Sequence, residues 1–595
     1  MAKDNRIDRS NGFSLSFNTM NNTNVDILYQ EACKEIAQCI ESLDSTTVVS
    51  KKEIFQIMRN ISSKYKLSKL PKNLDILKLL SEDSRFKKQL KSKPSKTSSG
   101  VAVITVMPLP FDCPHGKCIY CPGGIEMNTP LSYIGTEPAT KIAQSVNYDP
   151  FKQVLTKITQ LVERGHDVDK AELVIVGGTF PFYPQTYQKT FVNKCYSAFN
   201  KFNLSLKNEN ASNFEEDNLE KAKKLNETAN IRCVGLTIET KPDFCKKDHI
   251  DSMLELGATR IEIGVQSLND SVLKVVNRGH SVNDVYESFY FAKNFGFKIA
   301  AHMMPGLPLS SVDQDIDDFK KLFKDERLKP DMLKIYPTLV IKNTGLYKLY
   351  QNQKYTSYST EDLVTILVEL KKIVPPWMRI MRIQREIDSK DIIAGPRMGN
   401  LRQIVLKQLE KQGISCKCIR CREIGLKNMD KMFSISEIKL NRIDYFSSNS
   451  KEIFLSFESP DNSILFGFLR LRITHDPQRF ELKNLTKENS SETKIPCGVI
   501  RELHVYGPMA KIGTNSVKAN NLSKNTLEVK SYQNYINNFF YQHRGLGQKL
   551  LEEAERICKE EYWLKKITVI SAIGTREYYK KFGYVINGAY VTKSI

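Results

Sequence analysis

From residue 99 onward, short apolar runs alternate with longer stretches of helical spacing. The runs Val101–Val106, Glu172–Val176, Val234–Ile238, Arg260–Val265, Lys298–Met303 and Met332–Tyr336 have strand length and composition. Between them, Phe151–Arg164, Lys246–Leu256, Val282–Phe295 and Val312–Phe323 repeat apolar residues at helical intervals. Strand–helix alternation of this kind builds a parallel sheet with right-handed crossovers, and six units predict an open, partial (β/α)6 barrel of α/β class over residues 99–376. Pro375-Pro376 closes it.

The pattern changes on either side. Residues 1–28 lack periodicity and read as a disordered tail, whereas Leu28, Ala32, Ile36 and Ile40 open a helical region over 29–98. Its last part, 84–100, reads as a basic linker rich in Ser, Pro and Gly. A basic linker over 377–430 follows the barrel. Over 431–595 the strands lengthen and alternate: Ile453–Phe457, Ile464–Ile473 and Val499–Tyr506. A glycine-bearing turn then leads to a helix (Leu550–Glu560), a strand (Ile567–Ser571) and a last helix–strand pair. Residues 507–541, rich in Asn, Ser and Lys, read as a flexible insertion.

The 595 residues exceed one hydrophobic core. No run of eighteen apolar residues occurs, so no membrane partner is expected, and with no apolar leader segment a cytoplasmic location is the default. Net charge is +21 and is concentrated. Ser84–Lys96 carries six basic residues and no acid, and Pro375–Ile424 carries eleven against five acids, which points to a polyanion such as nucleic acid.

Six of the thirteen cysteines form two tight triplets, a spacing for metal or cluster ligation. The other seven (Cys33, Cys39, Cys195, Cys233, Cys245, Cys497, Cys558) read as small buried apolar groups. Cys113, Cys118 and Cys121 sit in one loop after the first strand, where Pro114 and Gly116 let the chain fold back. Three thiolates on a 4Fe-4S cluster leave one iron open, and S-adenosylmethionine can chelate such an iron and be cleaved to an adenosyl radical. A zinc site completed by His115 is the competing reading. Gly177-Gly178-Thr179 after strand two, Lys241 after strand three and Gln266 after strand four would face the same mouth and hold the cofactor. Cys416, Cys418 and Cys421 read as a structural zinc site whose fourth ligand the sequence does not name.

Gln542-His543-Arg544-Gly545-Leu546-Gly547-Gln548 precedes a helix, and glycines at a helix N-terminus suit a pyrophosphate such as that of acetyl-CoA. The later Tyr578-Tyr579-x-x-x-Gly-Tyr looks like the second half of a GNAT acyltransferase, with Tyr579 expected to face the cofactor. Glu502 offers a general base or a strand-pairing charge, and His504 a catalytic or a packed residue. Lys170 lies before strand two, on the far side from the cysteine loop, and reads as a surface lysine.

Together with Ile-Glu-Thr-Lys-Pro-Asp, Glu-Ile-Gly-Val-Gln-Ser, Ala-His-Met-Met-Pro-Gly-Leu-Pro and Arg-Glu-Leu-His-Val-Tyr-Gly, these motifs make the chain resemble the catalytic subunit of Elongator from about residue 29 to the end. The resemblance implies a radical SAM barrel followed by a GNAT domain, joined by a zinc-binding linker. It implies carboxymethylation of carbon five of the wobble uridine of tRNA, using S-adenosylmethionine and acetyl-CoA. The basic 29–98 region would bind tRNA, and the resemblance brings in Elongator-type partner subunits or a homodimer. By position, Lys170 resembles a residue associated with acetyl-CoA, Glu502, Leu503, His504 and Val505 the strand along its arm, Leu546, Gly547 and Gln548 the pyrophosphate contacts, and Tyr579 a tyrosine near the thioester. Lys241 departs from the pattern, since Arg is usual there and Lys loses bidentate geometry. Two rival readings are a protein lysine acetyltransferase with a structural iron–sulfur cluster and a non-catalytic tRNA-binding scaffold.

Overall fold

The structure, a computed structural model, describes residues 17–43, 49–81, 84, 86–90, 97, 99–205, 218–426, 437–483, 496–507 and 545–595. The expected insertion 507–541 falls almost wholly outside them.

Residues Met1–Pro94 with Thr159–His166 form one compact unit. Its helices are Phe17–Glu41, Lys51–Lys64 and Asn73–Leu77. The first begins inside the expected tail, because a helix once nucleated extends at one hydrogen bond per residue, even over polar side chains. Ser50 and Glu53 form a capping box on the second. Ala32, Ile36 and Ile40 meet Ile54, Met58 and Ile61 in a buried core. Phe86 and Leu90 join it, so part of the expected basic linker packs as a helical turn, Lys87–Leu90.

The second unit, Ser95–Ile158 and Asp167–Ile595, holds two seven-stranded sheets. The first contains β1 (Ala102–Val106), β2 (Lys170–Ile175), β3 (Arg232–Thr240), β4 (Arg260–Gln266), β5 (Lys298–Met303) and β6 (Met332–Ile335). Beyond them come β7 (Val340–Ile341), β8 (Arg379–Arg382) and β9 (Ile392–Ala394). The main sheet runs β1-β2-β3-β4-β5-β6-β8, all parallel, while β7 and β9 pair as a small ribbon. All six expected strands are present, within a few residues. The seventh, β8, corrects the expected end of the barrel at Pro376. The Pro-Pro pair breaks a helix but leaves Arg379–Arg382, which follow after two intervening residues, free to add at the sheet edge.

The barrel interior is polar. Thr237 pairs with Arg260 and Glu239 with Glu262 across β3 and β4, so all four lie on one face. His302 pairs with Lys334 across β5 and β6, which places them beside that set.

The second sheet contains β10 (Lys439–Ser447), β11 (Ser450–Glu458), β12 (Leu465–Thr474), β13 (Cys497–Val505), β14 (Lys566–Val569), β15 (Val585–Asn587) and β16 (Tyr590–Ser594). Its order is β10-β11-β12-β13-β14-β16-β15. A bulge places Arg501 between the pairs Arg470–Glu502 and Leu471–Ile500. β13 pairs in parallel with β14 only over Gly498–Ile500, so Glu502–Val505 stand off the β14 ladder and a wedge opens between the strands.

This sheet docks on the N-terminal ends of the barrel strands. Arg501 donates to the carbonyl of Phe297, just before β5, at 2.7 Å, and grips Asp331, just before β6, through both terminal nitrogens at 2.6 and 2.8 Å. Glu452 accepts from Arg501 at 2.9 and 3.0 Å and from Arg472 at 2.7 Å. All these groups are buried. The two sheets are therefore held by paired, desolvated charges. No described helix is long and apolar enough to cross a membrane.

Candidate active site

The cysteine loop leaves β1 and folds over the C-terminal mouth of the barrel. Gly116 closes a turn, donating to the carbonyl of Cys113 at 3.0 Å, and Cys121 donates to the carbonyl of Cys118 at 3.0 Å. The loop is tied to the segment after β4 by Ile119 donating to the Val276 carbonyl at 3.2 Å and Asn277 donating to the Lys117 carbonyl at 3.0 Å. Gly279 (φ +75°) passes under His115 so closely that a Cβ there would lie 2.4 Å from the His115 side chain.

His115 Nε2 lies 3.1 Å from Cys118 Sγ, and Lys241 Nζ lies 2.8 Å from His115 Nδ1. Lys241 also pairs with Asp243 at 3.1 Å. An ammonium on Nδ1 leaves the imidazole proton on Nε2, facing the sulfur. The Cys121 and His115 hydrogen bonds, with the Arg278 guanidinium behind them, hold the Cys118 thiol well below its ordinary value, although burial opposes them. Burial pushes Cys113 up, and the proton shared with Cys118 pushes Cys121 up. With Nδ1 of His115 taken by Lys241 and Nε2 turned to the Cys118 sulfur, three thiols offer a donor set that suits a cluster with one open iron.

The walls of the mouth fit a polar cofactor. Gly177 and Gly178 adopt φ of +122° and +123°, and a Cβ on Gly178 would meet nothing within 4 Å, so the backbone there is open to a ligand. Glu239 accepts from the Gly177 N–H at 3.1 Å. Gln266 ends β4 with φ +72°, and its Oε1 is buried without a hydrogen-bond partner, as is Asp243 Oδ1. Thr179 is buried beside them.

Below the mouth, Glu262 accepts from His302 at 3.0 Å and pairs with Lys334, while Arg260 pairs with Glu172. Burial raises Glu262, but Lys334, His302 and Arg260 outweigh it and hold the carboxyl far below its ordinary range. Glu239, Glu262 and His302 bring ligand atoms within 4.8 Å of one another, and Lys334 supplies the cation there.

The glycine-bearing turn and the second sheet lie at the opposite end of the strands. Gly545 (φ +82°) starts the helix Leu546–Arg556 with no side-chain cap, leaving the first-turn N–H groups of Leu546, Gly547 and Gln548 directed outward. The helix therefore starts four residues before the expected Leu550. Gln548 turns its side chain to Glu552 at 2.8 Å, so only its backbone faces that site. Gln542 and Arg544 lie outside the described residues.

On the wedge strand, Glu502 accepts from Arg470 at 2.8 Å. Burial raises its carboxyl, but Arg470 and Lys298 outweigh that and keep it below the usual range, which makes it a weaker base than a free carboxylate. His504 Nε2 donates to the Ser99 carbonyl at 3.1 Å and its ring lies 4.3 Å from Tyr506, the surroundings of a packed histidine. Leu503 and Val505 are half-buried alongside. Tyr579 is buried, and burial, Tyr578 and Glu502 together push its hydroxyl up. Tyr578 is the more exposed of the two. A Cβ on Gly547 would lie 2.6 Å from its hydroxyl oxygen. Lys170 begins β2 at the end of the barrel where the second sheet docks, and burial lowers its ammonium.

Cys416, Cys418 and Cys421 bring their sulfurs within 4.8 Å of one another, a spacing one small ion can bridge. The Lys371 ammonium stands 3.4 Å from Cys416 Sγ and 3.5 Å from Cys421 Sγ. The loop hangs from the residue just before β8 through Ile419 donating to the Met378 carbonyl at 2.9 Å. The expected linker is thus folded onto the barrel. All thirteen cysteines are unbridged, and six of the seven scattered ones are buried, with Cys39 half-buried.

No sign of His115 as a sulfur hydrogen-bond partner, of Arg278 or of Lys371 stands in the sequence, and of the tyrosine pair the sequence favours Tyr579 over Tyr578. Arg278 Nη1 lies 3.9 Å from Cys118 Sγ although 160 residues separate them. No local spacing announces such a pair.

Family models match four segments. These are an ELP3 N-terminal domain over 29–98, the radical SAM superfamily over 107–322, a radical SAM C-terminal domain over 330–411 and a GNAT acetyltransferase domain over 527–593. The chain is 41 % identical to the tRNA uridine(34) acetyltransferase of Methanocaldococcus infernus, covering 94 % of this chain and 98 % of that one. It is 38 % identical to human Elongator complex protein 3, covering 91 % and 93 %. Among solved structures, the archaeal M. infernus Elp3 with an N-terminal deletion superimposes with a TM-score of 0.66 at 39 % identity, over 84 % of this chain and all of that one.

Proposed function

Because the chain belongs to the Elongator complex protein 3 family, we propose that it builds a carboxymethyl group on carbon five of the wobble uridine of tRNA, using S-adenosylmethionine and acetyl-CoA. The observation that carries this reading is one folded unit with a three-thiol mouth at one end of the barrel strands and a GNAT wedge docked at the other. A tRNA substrate is supported by the relatives' names and by the net charge of +21.

Cys113, Cys118 and Cys121 would hold the 4Fe-4S cluster. When bound, cluster and S-adenosylmethionine supply an adenosyl radical able to remove hydrogen from an acetyl methyl group. Gly177, Gly178, Thr179 and Gln266 orient the amino-acid end of the cofactor with open backbone and an unsatisfied side-chain oxygen. Lys241 and His115 direct an N–H at the Cys118 sulfur. At the other end, Leu546, Gly547 and Gln548 offer backbone N–H groups to the pyrophosphate of acetyl-CoA, and Leu503 and Val505 border its arm. Glu502 and His504 fix that strand, through Arg470 and Ser99. Tyr579, with Tyr578 beside it, provides a hydroxyl toward the thioester, and Lys170 a cation at the same end of the barrel. Cys416, Cys418 and Cys421 would bind zinc with Lys371 balancing their charge. Partner subunits, or a second copy of the chain, complete the proposal.

The test is anaerobic reconstitution with iron and sulfide, addition of S-adenosylmethionine, acetyl-CoA and unmodified tRNA, then mass analysis of the nucleosides. A carboxymethyl mass on uridine, lost together with S-adenosylmethionine cleavage in Cys118→Ala while RNA binding persists, is expected. An unaltered uridine despite a full cluster overturns the reading. Acetylation of protein lysines that is indifferent to S-adenosylmethionine would replace it with a protein acetyltransferase.

A further inference from the structure

Three successive loops at the C-terminal ends of β1, β2 and β3 each bring an aromatic side chain to one rim of the mouth. Phe111, two residues before Cys113, lies 4.8 Å from Tyr183 and meets Phe182 edge-on at 5.7 Å, measured between ring centres. Phe182 meets Phe244 edge-on at 5.4 Å, and Phe244 lies 5.1 Å from His249. Phe111 is 43 % exposed and its neighbour Leu109 49 %, while Phe182, Phe244 and His249 are half-buried.

The rim is rigidly held. The Leu109 N–H donates to the Tyr187 hydroxyl oxygen at 3.0 Å, and the Tyr183 hydroxyl donates to the Leu109 carbonyl at 2.6 Å. A run of rings exposed at Phe111 and half-buried at Phe182 and Phe244, contributed by three separate loops, is not what core packing alone produces. Its inner end abuts the proposed chemistry. Phe111 leads into the cysteine loop, and Phe244 closes the turn that begins at Lys241, the residue touching His115. Exposed charges along the rim are mixed: Lys117 and Lys247 stand with Asp112 and Asp248. The rim therefore offers ring faces and edges, not a cationic track for phosphates.

We propose that the Phe111–Phe182–Phe244 rim is the stacking platform for unpaired anticodon-loop nucleotides flanking the target uridine, a statement that rests on the tRNA-modifying reading above. Bases taken out of a stack must be received by other π-faces, and aromatic side chains supply them without sequence preference. Stacking would hold the flanking bases while the uridine enters the mouth between the cysteine loop and Gln266.

The test is titration of a fluorescent anticodon stem-loop RNA with the full chain across a salt series. The variants are Phe111→Ala, Phe244→Ala and Phe111→Trp. Each alanine variant is expected to bind about tenfold more weakly at every salt concentration, with an unchanged slope of log affinity against log salt, because no phosphate contact is lost. Phe111→Trp is expected to restore binding, and a stem-loop lacking the flanking bases should bind the wild type as weakly as the intact RNA binds Phe111→Ala. Wild-type affinity in both alanine variants, or a loss expressed only as a smaller salt slope, overturns the platform and leaves the tRNA reading standing. Failure of the wild-type chain to bind the stem-loop overturns both.

Discussion

Lys241 and His115 meet across the barrel mouth, Nζ to Nδ1, at 2.8 Å. Lys241 thereby fixes the tautomer that presents Nε2–H to Cys118 Sγ at 3.1 Å. A hydrogen bond to a ligating sulfur stabilises the thiolate and tunes whatever metal it binds. His115→Ala is expected to weaken iron retention by about 10- to 100-fold, the usual cost of losing such a partner. Iron per chain after anaerobic reconstitution and gel filtration measures it, with His115→Gln losing less. Full iron content in His115→Ala would show that the contact does not support the cluster.

The clasp between the two sheets makes a separate prediction. Asp331 and Arg501 are buried and bidentate, so removing one strips the other of its main partner, leaving Arg501 with Glu452 alone and Asp331 with Arg470 at 3.6 Å. Asp331→Asn and Arg501→Met should each destabilise this unit by about 3–5 kcal/mol, read from denaturant midpoints. The double replacement Asp331→Leu with Arg501→Met should cost less than the sum. Strict additivity would mean that the pair does not act as a pair.

Lys293 sits behind that clasp, donating to the Lys329 carbonyl at 2.7 Å and to Ser447 Oγ at 2.5 Å. Burial outweighs Asp331 and Glu452 and pulls its ammonium down to about 7, against 10.5 for an ordinary lysine. Between these values the unfolded chain holds a proton that the folded one has released, so this group makes stability rise with pH from about 7 to 10.5. Lys293→Met should flatten that part of the stability–pH curve relative to wild type. Parallel curves for the two proteins would place the lysine's charge outside the balance.

Zinc content tests the second triplet. With sulfurs within 4.8 Å of one another, Cys416, Cys418 and Cys421 are expected to retain about one zinc per chain by elemental analysis. Cys418→Ser should lose it and lower the unfolding midpoint. A zinc-free wild type of undiminished stability would leave a thiol cluster neutralised by Lys371 alone.

Much of the barrel could be read from the chain because its strands pack one apolar row into the core while the other lines the polar interior, which leaves short apolar-rich runs, and these mark β1 to β6 within a few residues. β8 escaped because Arg379-Ile-Met-Arg has no such run. Its arginines face polar surroundings on a sheet edge, so periodicity carries no signal. The triplets were legible because ligands from one loop must be close in sequence. His115 was visible inside its motif, but its hydrogen-bonding role was not, since the residue that orients it lies 126 positions away.

What the sequence determined by itself is whatever depends on neighbours along the chain: strand and helix periodicity, the cysteine spacings, the glycines before a helix and the concentration of positive charge. Tertiary structure alone decided which distant groups would meet. Arg278 stands behind Cys118, Lys371 against the second triplet, Arg501 on Asp331, and three loop phenylalanines share one rim. The physical reason is that burial makes an unpaired charge or polar group expensive. The fold is selected by how distant partners satisfy one another, and that information is spread over the whole chain.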